Sequence, residues 1–162
     1  MFSEGRCGFR AGCFNRSAKE KYVLLVRQRR TCDGSLTYEH LAGMVDEKDF
    51  SPVETAVREL GEETGLPINM SDVKPLFSRP LFSATSTSDE CLHFFYYEHR
   101  MPVAEINALD GRSTGEEGEN EHTQLSIATF PEAQQRIANL HGILAHLLYL
   151  KQVGDYGLMR QL

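Results

Sequence analysis

The nonapeptide RELGEETGL at residues 58–66 places carboxylates at positions i, i+3 and i+4. On a helix turning about 100° per residue, Glu59, Glu62 and Glu63 fall within an arc of roughly 100°. Val53, Ala56, Val57 and Leu60 share a second face, centred about 120° away. Carboxylates at these spacings repel one another by a few tenths of a kcal/mol per pair, so gathering them gains nothing unless a cation sits between them. A hard divalent ion held through oxygen, Mg²⁺ above all, suits such a set. A solvated acidic face is the plain alternative, and an EE pair alone would not exceed it. The whole string does: Arg58, Glu59, Leu60, Glu62, Glu63, Gly65 and Leu66 fill REUxEExGU, where U is a bulky aliphatic residue.

The elements that must hold this stripe are readable around it. Ser51 as N-cap, Pro52 in the first turn and Glu54 as capping-box partner predict the helix start. Gly65 and Pro67 predict its end, the first by accepting a left-handed C-cap and the second by forbidding continuation. Residues 8–14 and 22–29, GFRAGCF and YVLLVRQR, predict two strands joined by the polar turn NRSAKEK. TYEHLAG at 37–43 predicts one short strand leading into the loop before the helix. DVKPLFS near 72–78 and the aromatic run CLHFFYYEH at 91–99 predict further strands, the latter buried and central. Residues 101–122 read as a long acidic loop, a length that in a small domain points to function or disorder. TQLSIATF predicts a last strand, and the stretch from Phe130 to Val153 one or two helices broken near Asn139 to Gly142. These elements predict an α/β fold in a single domain over residues 1–162, with a short N-terminal extension at 1–7.

Composition narrows the partners. A chain of 162 residues can bury a sizeable core. No signal peptide and no apolar run of membrane-spanning length is visible, so a soluble, cytoplasmic protein is expected, with no membrane partner. Cys7, Cys13, Cys32 and Cys91 form no CxxC pair, which argues against structural zinc and for free thiols. A net charge of −6 and a pI near 5.5 leave no electrostatic footprint for nucleic acid. A polyphosphate could still approach the glutamates if metal supplied the missing positive charge, with Arg27, Arg29, Arg30 and Arg58 as local cations. The six histidines match no zinc pattern, and no serine or cysteine sits in a nucleophile elbow.

The string at 58–66 resembles the signature helix of the Nudix hydrolases. In that family's usual form a glycine stands six residues before a glutamate, which precedes the arginine by eight. Here those positions hold Met44 and Phe50. Gly43 lies one position early, so the loop carries an extra residue, with Asp46, Glu47 and Asp49 nearby and no clean match to the loop glutamate. The run from Ala42-Gly43-Met44 through Asp49-Phe50 to TAVRE is similar to the plant-type ADP-sugar diphosphatases.

The resemblance implies an α/β/α sandwich around a mixed sheet and a metal-dependent pyrophosphohydrolase. It implies Mg²⁺ or Mn²⁺ held by Glu59, Glu63 and Glu62, with the Ala42 carbonyl as a further oxygen ligand, and Arg58 pairing with a helix glutamate to fix its rotamer. TGEEGENEH at 114–122 resembles the segment that ADP-ribose and ADP-sugar pyrophosphatases place over the metal helix. On that match Glu119 is the candidate general base and Glu121 a further metal ligand or alternative base; a solvated acidic loop is the competing reading. VLLVRQRR followed by YEHLAGM makes Arg30 a candidate contact to substrate and Glu39 a candidate supporting residue. The implied reaction cleaves an ADP-sugar such as ADP-ribose or ADP-glucose to AMP and a sugar phosphate. Other substrates of the family stay open, among them GDP-sugars, NADH and dinucleoside polyphosphates, as does a non-catalytic nucleotide-binding module. SATSTSDE at 83–90 keeps Ser83, Asp89 and Glu90 of the family's turn but lacks its proline and glycine. With about twenty residues before YVLLV, a dimer formed by swapping an N-terminal domain is not expected, and a homodimer through another interface stays open.

Overall fold

The run Val23-Leu24-Leu25-Val26 is apolar at every position because the strand that carries it is covered on both sides. In the computed structural model, which describes residues 7–16, 21–29, 34–45, 49–114 and 123–161, strand β2 (Lys21–Arg29) buries all four. The two-residue period of a strand sends them to opposite faces. Leu24 and Val26 join one core with Leu41, Ala56, Leu60, Phe95, Tyr97, Leu109 and Leu125. Val23 and Leu25 join a second with Leu92, Phe94, Phe130, Ala145, Tyr149 and Leu150. Strand β7 (Cys91–His99) divides in the same way, which explains its nearly unbroken aromatic sequence.

Around these strands lie β1 (Cys7–Arg16), β3 (Leu36–Glu39), β4 (Leu41–Met44), β5 (Val73–Pro75), β6 (Leu81–Phe82), β8 (Ser113–Thr114) and β9 (Thr123–Thr129). They form one sheet, with the order β5-β7-β1-β2-β9-β8 along its main path; β3 adds to β2, β4 to β1 and β6 to β7. β1 runs parallel to β7, from Cys7 opposite Cys91 to Asn15 opposite His99, and the other pairings are antiparallel. Helix α1 (Pro52–Thr64) buries Ala56 and Leu60 in the first core. Helices α3 (Phe130–Arg136) and α4 (Leu140–Gln152) supply the second. The result is the α/β/α sandwich around a mixed sheet that the family resemblance implies.

Several boundaries differ from expectation. The segment 37–43 is two strands, because the chain turns at the buried His40 and hands pairing from β2 to β1. Residues 101–122 are not one acidic loop: α2 (Val103–Leu109) buries Ile106 and Leu109, an i, i+3 pair, and β8 then pairs with β9. The break between the last long helices falls at Ile137 to Asn139, where Asn139 Oδ1 accepts the Gly142 N–H at 2.7 Å. A short helix α5 (Tyr156–Met159) ends the described chain, capped by Asp155. Among the described residues no helix is long and apolar enough to cross a membrane.

α1 is fixed at both ends. Ser51 is its N-cap residue, but its side chain makes no capping bond; the Glu54 carboxylate accepts from the Phe50 N–H instead, one residue earlier than a capping box requires. At the C-terminus Gly65 is left-handed (φ +65°), and its N–H returns to the Gly61 carbonyl. Arg112 donates to the Thr64 carbonyl, and a Cβ at position 65 would lie 2.9 Å from its Nη2.

Two stability measurements follow from these contacts. Gly65→Ala should cost about 1–2 kcal/mol for the left-handed backbone, plus any displacement of Arg112, read by urea denaturation. The second concerns His146, which is buried beside His40 and Phe130 and whose pKa is lowered to about 4 by loss of solvation. The unfolded chain binds the proton near pH 6.5 and the folded chain only near 4, so stability should fall as pH drops through that window. His146→Leu should flatten that part of the pH profile, and an unaltered profile would show that another group is responsible.

Candidate active site on the first helix

The acidic stripe of α1 faces the end of β4. A Cβ on Gly43 would lie 2.5 Å from both Cδ and Oε1 of Glu59, so only glycine lets this carboxylate lie against the strand. Gly43 therefore does the work expected of a glycine one position later, and Ala42, whose carbonyl is a candidate metal ligand, is its neighbour in β4. One turn beyond Glu59, Glu63 Oε2 is buried. Glu62 is the more open of the acids, its side chain 53% exposed against 20% for Glu59.

Arg58 gathers the carboxylates. Its Nη1 lies 3.0 Å from Glu59 Oε1 and 3.5 Å from Glu62 Oε2, and its Nη2 lies 3.3 Å from Asp49 Oδ2. Asp49 Oδ2 also accepts from the Thr55 hydroxyl at 2.6 Å, and Thr55 is fully buried. The pairing of Arg58 with a helix glutamate is thus as the resemblance implies. The part of Asp49 is new. It stands six residues after Gly43, as the family's loop acid stands after its glycine, so the extra residue lies between Asp49 and Arg58, not ahead of Asp49. Counting forward from Gly43 would have found it; counting back from Arg58 misses it.

Burial raises the Glu59 pKa, with Glu62 and Asp49 adding to the rise against the opposing pull of Arg58. Desolvation alone would lower the Arg58 pKa, but Glu59, Asp49 and Glu62 together raise it. The Arg58 shift reports the carboxylates gathered around one guanidinium, whereas the Glu59 shift is set first by burial.

Among the described residues no group of three His, Cys, Asp or Glu side chains is gathered closely enough to hold a metal ion. The donors nevertheless fit a hard divalent cation, being carboxylate oxygens on α1 with a glycine cradle on β4 that admits Glu59. Glu39 is buried at the end of β3, where Thr37 Oγ1 donates to its Oε1 at 2.9 Å. Of the neighbouring arginines, Arg27 donates to Gln124 and Arg29 to the Gly34 carbonyl. Arg30, Glu119 and Glu121 lie outside the described residues.

A mixed sheet between helices, with an REUxEExGU helix docked against a glycine strand, defines the class. The chain belongs to the Nudix family, whose domain matches residues 8–145. It is 28% identical over 137 residues to Nudix hydrolase 14, chloroplastic, of Arabidopsis thaliana, an alignment covering 80% of this chain and 44% of that protein. The chain thus spans less than half the length of this curated relative. Among solved structures it is similar to the NUDIX domain of Shewanella oneidensis NrtR complexed with ADP ribose, with a TM-score of 0.66 and 14% identity, covering 94% of this chain and 90% of that one. It is also similar to an ADP compounds hydrolase, with a TM-score of 0.64 and 18% identity, covering 91% and 75% of the two chains. At these identities both structures speak to the fold alone.

The Asp49 anchor can be measured directly. Thr55→Val and Asp49→Ala should each destabilise the protein, and the double variant should cost less than their sum. The coupling in urea denaturation should be about 1.5–3 kcal/mol, as for a hydrogen bond to a charged acceptor. Strict additivity would mean that the two side chains act independently.

Proposed function

We propose that the protein is a Nudix pyrophosphohydrolase that cleaves the diphosphate of an ADP-sugar such as ADP-ribose or ADP-glucose, giving AMP and a sugar phosphate. The observation that carries this reading is the intact acidic stripe of α1, with Glu59 laid against Gly43 and fixed by Arg58. An adenosine diphosphate compound is favoured because similarly folded proteins include one complexed with ADP ribose and one described as an ADP compounds hydrolase.

In this reading Glu59, Glu62, Glu63 and the Ala42 carbonyl hold Mg²⁺ or Mn²⁺, which when bound supplies the positive charge that neutralises a diphosphate and polarises its phosphorus. Arg58 is a positioning residue: its contacts to Asp49 and Glu59 hold the Glu59 carboxylate in one orientation before any ligand arrives. Glu119 takes the proton from the attacking water, with Glu121 as alternative base or further ligand. The water oxygen forms a new bond to one phosphorus as the bridging P–O bond breaks, and the leaving phosphate carries away the electron pair. Arg30 contacts the substrate and Glu39 supports the site from β3.

A panel of nucleoside diphosphate derivatives, assayed with Mg²⁺ for release of AMP, GMP or phosphate, tests the activity and its substrate together. Glu63→Gln should lower kcat by orders of magnitude while the metal-free melting midpoint stays near wild type, since the amide keeps the shape and loses the charge. Mg²⁺ should raise the wild-type midpoint and raise that of the variant less. Full activity in Glu63→Gln would remove the helix from the mechanism. An inactive wild type across the panel would favour a nucleotide-binding module.

A further inference from the structure

Phe50 is 96% exposed, yet the backbone that carries it is tied down. Its own N–H donates to Glu54 Oε2 at 2.9 Å. The side chain before it, Asp49, is held by the Thr55 hydroxyl at 2.6 Å and by Arg58 at 3.3 Å. An isolated apolar residue on a surface is ordinary. Phe50 differs because a large aromatic ring is carried on an anchored backbone, at the residue that follows the carboxylate holding the site's guanidinium. Leu140, the next most exposed large apolar side chain among the described residues at 84%, begins α4 in the helix layer on the opposite side of the sheet.

A nucleoside diphosphate carries its base one ribose away from its phosphates. A site that engages the phosphates at the α1 carboxylates therefore needs an apolar platform next to that cluster and not within it. The geometry points to Phe50 as the platform on which the base of the nucleotide stacks, a specificity-determining contact at the loop end of α1. The inference rests on the pyrophosphohydrolase reading. An aromatic ring recognises the π-face of a base and not its hydrogen-bonding edge. Phe50 should therefore distinguish nucleotides from base-less phosphates while treating adenine and guanine alike. It adds a base contact without adding charge to an already crowded acidic site.

The chain contains no tryptophan, so Phe50→Trp places a single indole at this position. With Mg²⁺ present, ADP and GDP should quench its fluorescence saturably, whereas ribose 5-phosphate and inorganic pyrophosphate should not. Phe50→Ala should raise KM for the nucleotide cleaved in the substrate panel about tenfold with kcat within about twofold, and Phe50→Tyr should restore KM. Unchanged fluorescence up to millimolar nucleotide overturns the inference. So does a Phe50→Ala variant that keeps its KM. A wild type that cleaves nothing in the panel defeats the hydrolase reading by itself, and the quenching still decides whether a base stacks here.

Discussion

The site depends on one guanidinium shared among carboxylates. Asp49, Glu59 and Glu62 all face Arg58, which stands in for positive charge that the rest of the acidic stripe lacks. Each pair is partly exposed and worth under about 1 kcal/mol as an isolated surface contact, so its value is geometric more than energetic. Arg58 joins the loop before α1 to two successive turns of the helix. Glu59, the least exposed of its helix partners, is pressed against the backbone of β4, where any side chain at position 43 would displace it.

That local arrangement requires a fixed distance between α1 and β4, which the first core supplies. Leu41 of β4 and Ala56 and Leu60 of α1 are fully buried in the same cluster, so strand and helix are packed together next to the residues that carry the charge. Arg112 performs a complementary task at the other end, where it meets the Thr64 carbonyl and the left-handed turn at Gly65. The acidic face can therefore be crowded without the helix shifting, because apolar contacts and end restraints fix its position independently of the charges.

Most of the architecture was legible because two-sided burial and helical periodicity leave strong marks. YVLLV, CLHFFYYEH and the interval from Pro52 to Gly65 read directly as the elements found. α2 was hidden because a seven-residue helix with only Ile106 and Leu109 buried is too short for its period to stand out beside the acidic stretch that follows it. The division of 37–43 into two strands was hidden because a buried histidine at the turn carries no turn signature. The helix stripe and its arginine were apparent from spacing alone. Asp49 is in register with Gly43 but out of register with Arg58, because a residue is inserted between them, and the Thr55 and Arg58 contacts show what it holds.

The parallel pairing of β1 with β7 sets an order on folding. These strands are separated by the whole signature helix and the loops that follow it, yet they lie side by side in the middle of the sheet. Closing so long a stretch of chain costs entropy before any of the pairing is gained, which makes such contacts slow to form. During synthesis, β1, β2 and α1 emerge well before β7 does, so the apolar face of the signature helix must wait for Phe95 and Tyr97 to complete its packing. A nascent chain paused before residue 91 would carry the whole acidic stripe and still lack the two aromatic rings that close the core beneath it.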